Sequence, residues 1–143
     1  MTVKSHRGSL KERRKDARGA AIIEFAIVLP LFLVLLFGLV EFSLVLYYKG
    51  LITHASREGA RRGAIYAMPR LTGSQVQTWV QDYLTGVGVT APVTVTVTGA
   101  GGATGNPLTV KVDLTYQYVV LPNLIGMLGP SLTLTAETVM RLE

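Results

Sequence analysis

The stretch Arg18–Gly38, "RGAAIIEFAIVLPLFLVLLFG", decides how the rest of the chain must be read. From Phe25 to Val40 no side chain is charged or polar, and after Glu41 the apolar character resumes through Tyr48. As a helix, Ala20 to Tyr48 would span roughly 43 Å at about 1.5 Å per residue. That exceeds a bilayer hydrocarbon core of about 30 Å. A secretory signal has a shorter apolar region, followed by a small-residue cleavage site. The run is therefore read as a membrane-spanning helix. Pro30 cannot donate a backbone hydrogen bond and marks a candidate kink. Such prolines are tolerated in membrane helices.

Charge is placed unevenly around this run. Met1–Gly19 carries Lys4, Arg7, Lys11, Arg13, Arg14, Lys15 and Arg18 against Glu12 and Asp16, which accounts for the whole net charge of +5. A basic terminus can bind nucleic acid or anionic lipid. Beside a span it reads first as the cytoplasmic flank under the positive-inside rule. The weaker basic group after the span is Lys49, Arg57, Arg61 and Arg62. The expected topology puts the leader in the cytoplasm and the remainder outside it. No nucleic-acid partner is expected.

Beyond the span, "YYKGLITHASREGARRGAIYAM" (Tyr47–Met68) still reads as helix. Ala55, Gly59, Gly63 and Ala67 recur every four positions and form one stripe of small residues. Such a stripe lets another element approach closely. The spacing leaves open whether that element belongs to this chain or another. Glu58 and Arg62 are spaced to pair. "SQVQTWVQDYL" (Ser74–Leu84) is a short amphipathic helix, with Ser74 as its expected N-cap.

The period then changes to two. "VTVTVT" (Val93–Thr98), "LTVKVDLTYQY" (Leu108–Tyr118) and "LTLTAETVMRLE" (Leu132–Glu143) read as strands separated by glycine- and proline-rich turns. Three strands in succession predict an antiparallel sheet with one buried face, covered by the amphipathic helix. The apolar segment Val119–Leu128 reads as a loop; core or membrane-proximal packing is favoured over an exposed contact surface. The expected class is α+β: a long N-terminal transmembrane helix, then a small domain with a short amphipathic helix and about three antiparallel strands. The expected divisions are 1–19 leader, 20–48 span, 49–68 helix extension and 69–143 extracytoplasmic domain.

Little in the chain suggests catalysis. The absence of cysteine excludes disulfides and thiol chemistry. Two separated histidines, His6 and His54, do not make a metal site. No triad is suggested by spacing, and "GAGGATG" (Gly99–Gly105) sits between strands, with no helix after it to hold a phosphate. No cofactor, metal or enzymatic activity is expected. Trp79, Tyr83, Tyr116 and Tyr118 read as core aromatics. Glu41, at the far end of the span, reads as a residue that reaches water. Glu24 is different, because a carboxylate within a span is costly and is a functional candidate by default.

The run "GAAIIEF" (Gly19–Phe25) resembles the processing site of a type IV pilin-like precursor. In that class a basic leader ends in glycine, a prepilin peptidase cuts after it, and the fifth mature residue is glutamate. Gly19, Ala20 and Glu24 match those positions. Ala20 departs from the phenylalanine common at the first position of major type IV pilins, whereas Glu24-Phe25 fits the Flp/Tad branch. With "EFAIVLPLFLVLLFGLVEF", "ASREGARRGA" and "LTLTAETVMR", the chain resembles the TadE-like family of minor pseudopilins of the tight-adherence pilus. The resemblance implies a non-enzymatic bacterial inner-membrane protein that supports pilus assembly and surface adherence. It implies membrane lipid, a prepilin peptidase and other pilus or pseudopilin subunits as partners. Cleavage would give Ala20 an ammonium group, which Glu24 of a neighbouring subunit could pair with in an apolar bundle. The alternative is an uncleaved, single-pass, membrane-anchored extracytoplasmic binding domain.

Overall fold

A computed structural model describes residues 8–119 and 131–143. The order is α1 (Gly8–Ala64), α2 (Gly73–Gly86), β1 (Val93–Thr98), β2 (Pro107–Gln117) and β3 (Ser131–Arg141). The class is α+β, with a long apolar N-terminal helix, a second helix and a three-stranded antiparallel sheet. The chain divides into two compact units between Leu39 and Val40, described separately below. His6 and most of the loop expected at Val119–Leu128 lie outside the described residues.

The first unit contains the early part of α1. Its backbone is helical from Gly8 and continues through Pro30. The large apolar side chains from Ile22 to Phe37 are mostly exposed, with Ile27 and Leu31 each 71 % accessible.

In the second unit α1 changes character. Ile52, Ala55, Ser56, Gly59, Ala60, Gly63 and Ala64 are buried. The helix ends at Ala64, before the Met68 expected from sequence. Pro69 disfavours helical backbone at Met68. Arg61 and Arg62 in the last turn suit the helix C-terminus, and the Glu143 N–H donates to the Ala64 carbonyl (2.9 Å).

α2 begins earlier than expected: its N-cap is Thr72, not Ser74. The Gln75 N–H donates to Thr72 Oγ1 (3.3 Å) and the Thr72 N–H to Gln75 Oε1 (2.9 Å). That reciprocal pair needs a glutamine three residues after the cap, which Gln75 supplies only to Thr72. At the other end the Val89 N–H donates to Leu84 O (3.0 Å) and the Gly88 N–H to Thr85 O (3.0 Å). Gly88 sits at φ +85°, the left-handed conformation this terminating motif requires.

The sheet has the order β1-β2-β3. β2 is central, pairing Val95 with Val112 on one side and Leu134 with Leu114 on the other. Leu108, Val110, Val112, Leu114 and Tyr116 form its buried line. The intervening Thr109, Lys111, Asp113 and Thr115 face outward, where Thr135 Oγ1 donates to Asp113 Oδ1 (2.5 Å) and Lys111 pairs with Asp113 (3.0 Å). The turn after β1 depends on Gly99, at φ +83°, where a Cβ would fall 2.1 Å from the Pro107 carbonyl oxygen. The buried face is covered by α2 and by the second part of α1 together. Ser56 Oγ meets Thr138 Oγ1 at 2.5 Å, which satisfies a buried hydroxyl within this layer.

Candidate functional site

Gly19 and Glu24 are both exposed along α1, and the Gly19–Ala20 peptide lies within the helix. A Cβ built on Gly19 would meet nothing within 4 Å. Glu24 stands among exposed apolar side chains, including Ile22, Ile23 and Phe25. Among the described residues it makes no ion pair. Among the described residues one helix is long and apolar enough to cross a membrane, and none of its most apolar window is buried in the protein. A core helix would be covered, and a cleaved signal would not continue into a folded layer as α1 does. These features describe a single-pass membrane protein.

Ala55, Gly59 and Gly63 lie on the face of α1 that meets α2 and the sheet. A Cβ at Gly59 would fall 2.4 Å from Val80 Cγ2 and 3.6 Å from Val110 Cγ1. At Gly63 it would fall 2.7 Å from Leu108 Cδ2 and 3.1 Å from Val76 Cγ2. Of the two partners left open by the spacing, the structure places these glycines against their own chain. Ala67 lies beyond the helix end and is only half-buried, so the helical spacing of the stripe stops at Gly63.

Glu41 corrects the sequence reading. It does not reach water but is 4 % exposed. Tyr116 Oη donates to Glu41 Oε1 at 2.5 Å, and the Val119 N–H donates to the same oxygen at 3.1 Å. Tyr116 is itself buried and packs against Tyr48 (centroids 5.5 Å apart) and Tyr118 (6.0 Å). Burial first, and the hydrogen bond to Glu41 second, push the Tyr116 phenol above its ordinary pKa. The signal that could have pointed here is Tyr116 itself. A tyrosine closing a buried apolar line needs a partner for its hydroxyl, and Glu41 is a carboxylate flanked by apolar helix.

A second arrangement was not read from sequence. His54, Arg57, Glu58, Arg61 and Arg62 of α1 line an open groove of about 530 Å³ with Trp79 and Tyr83 of α2. Trp79 and Tyr83 pack against the hydrophobic core as expected, but they are only half-buried and also line this groove. Val76, Val80 and Leu84 occupy the inner line of α2 and leave the two rings at its flank. The rings stack at 5.4 Å and 23°, and the Arg62 guanidinium lies 4.1 Å from the Trp79 ring centre. Arg61 forks onto Glu58, with Nη2–Oε1 at 2.6 Å and Nε–Oε2 at 2.8 Å, while Arg62 Nε reaches Oε1 at 3.3 Å. The Arg61 hydrogen bond foremost, with that from Arg62, lowers the Glu58 pKa to about 2.

Among the described residues no cluster of three or more His, Asp or Glu side chains could hold a metal ion. Residues 19–61 match the model of the family described as TadE-like protein, in agreement with the resemblance read from the motifs. No match is found among curated proteins, or among solved structures.

Proposed function

We propose that this protein is a minor pseudopilin-like component of a Flp/Tad pilus system, anchored in the bacterial inner membrane with its leader in the cytoplasm and its β domain outside. In this reading a prepilin peptidase cuts after Gly19, and the mature chain associates with other pilus subunits in support of adherence. The observation that carries the reading is the family match. It begins at Gly19, the residue after which the leader would be cut, and runs through the span into the packed part of α1. The exposed apolar surface around Glu24 supports it, since such a surface needs lipid or other helices.

The test is the N-terminus of protein recovered from membranes of cells that contain the peptidase. Mass spectrometry is expected to find chains beginning at Ala20, and an intact leader on functional protein would refute the reading. Gly19→Leu is expected to block processing. The bond lies in a helix, and glycine weakens a helix by about 1 kcal/mol relative to alanine. Leucine would remove that weakness and add bulk at the cut.

Glu24→Gln separates processing from assembly. The variant is expected to insert and to be cut, because removing an intramembrane charge lowers the cost of insertion. It is expected to lose crosslinking to partner subunits. Breaking one side of a fully buried ion pair costs about 3–5 kcal/mol, and less near the interface. If Glu24→Gln is cut and still associates as the parent does, the charge-pair account of assembly fails.

A further inference from the structure

We propose that the groove between α1 and α2 is a docking site for an acidic peptide segment of a neighbouring protein. The groove carries more cationic charge than it can neutralise internally: Arg61 and Arg62 share the single carboxylate of Glu58. Arg57, which lines the same groove, makes no ion pair among the described residues. The helix C-terminus accounts for arginines in the last turn of α1, but not for Arg57 a turn earlier.

The arrangement is also preordered. Arg62 lies over the ring of Trp79, which is itself stacked on Tyr83. Only its Nε is spent on Glu58, so the remaining guanidinium N–H groups form a fixed fork suited to a carboxylate. The same stack argues against a sugar or a base as the occupant. Arg62 covers one face of Trp79 and Tyr83 lies along the ring system, which leaves recognition to charge more than to ring stacking. Arg57 and Arg62 are separated by about 7.5 Å along the helix axis. Two carboxylates placed two residues apart in an extended chain, about 6.7 Å, come close to that spacing.

Trp79 is the only tryptophan in the chain, so its fluorescence reports on this groove and not on the basic leader. The experiment titrates hexaglutamate into the full-length protein in phosphatidylcholine nanodiscs. A saturable change in Trp79 emission is expected at low salt, fading as ionic strength rises. Arg57→Gln and Arg62→Gln should each weaken apparent affinity about two- to five-fold, the range of one exposed ion pair. Glu58→Gln should tighten it by a similar factor, because it frees both arginines; a damaged fold would not produce a gain. Lowering the leader's charge from +5 to +2 by Lys4→Gln, Arg7→Gln and Lys11→Gln should leave the Trp79 response unchanged. The proposal is overturned if hexaglutamate leaves Trp79 unmoved, or if the response survives Arg57→Gln combined with Arg62→Gln. It is equally overturned if polygalacturonate binds where hexaglutamate does not, which would make the occupant an anionic glycan.

Discussion

Gly59→Leu is expected to destabilise the β domain by about 3 kcal/mol, the upper end of what overpacking a close-packed layer costs. Even the first carbon of a new side chain would fall 2.4 Å from Val80 Cγ2. Val80 is fully buried on α2, and a β-branched side chain has few rotamers into which it can retreat. α1 and α2 would have to move apart and uncover Val76 and Val110. Gly50 in the same helix provides the contrast, because a Cβ there would meet nothing within 4 Å. Gly50→Ala should stabilise the domain by about 0.5–1 kcal/mol through backbone entropy alone. Chemical denaturation followed by Trp79 fluorescence would measure both. Equal midpoints for Gly59→Leu and the parent would show that the close approach at Gly59 is not what limits packing.

Glu41→Ala is expected to cost about 2–3 kcal/mol, because it strands a buried phenol and a backbone N–H that now share one carboxylate oxygen. Tyr116→Phe should cost less, and the double variant should cost clearly less than the sum. That shortfall measures the pair directly, and full additivity would show that the contact contributes nothing. The Tyr116 pKa is raised in the folded state. Its contribution is therefore complete below the unfolded phenol's value near 10 and is lost as pH rises beyond it. Alkaline titration of stability should show a steeper fall for the parent than for Tyr116→Phe.

These two sites also show what could be read from the amino-acid order. The sheet was legible because alternation is local: β2 sets Leu108 to Tyr116 inward and Thr109 to Thr115 outward with no interruption. β1 occupies the expected Val93–Thr98 for the same reason. The stripe at Ala55, Gly59 and Gly63 was visible as a close approach, but its partner was not. Nothing near Gly59 in the sequence announces Val80 or Val110. Glu41 was misread because a carboxylate at the end of a span has water as its obvious partner, whereas its actual donors lie in β2 and just after it. The α1–α2 groove was invisible for a similar reason. Arg62 and Trp79 belong to different helices, and neither neighbourhood shows that their side chains meet. Ser74 has a capping side chain, but the reciprocal demand of Gln75 puts the cap at Thr72.

The hydrogen bonds that close the second unit join distant parts of the chain: Glu41 to Tyr116 across 75 residues and Ser56 to Thr138 across 82. Long separations of this kind slow folding, because large loops must close before their contacts are made. During synthesis the inner line of α1 emerges well before β2 and β3, and it must wait without the sheet that will cover it. Exposed apolar surface on incomplete chains is what drives misassociation. A waiting line built from Ala55, Gly59, Ala60 and Gly63 offers little such surface, where leucines in those places would offer much. The residues that let the sheet come close therefore also keep the unfinished chain from adhering to its neighbours.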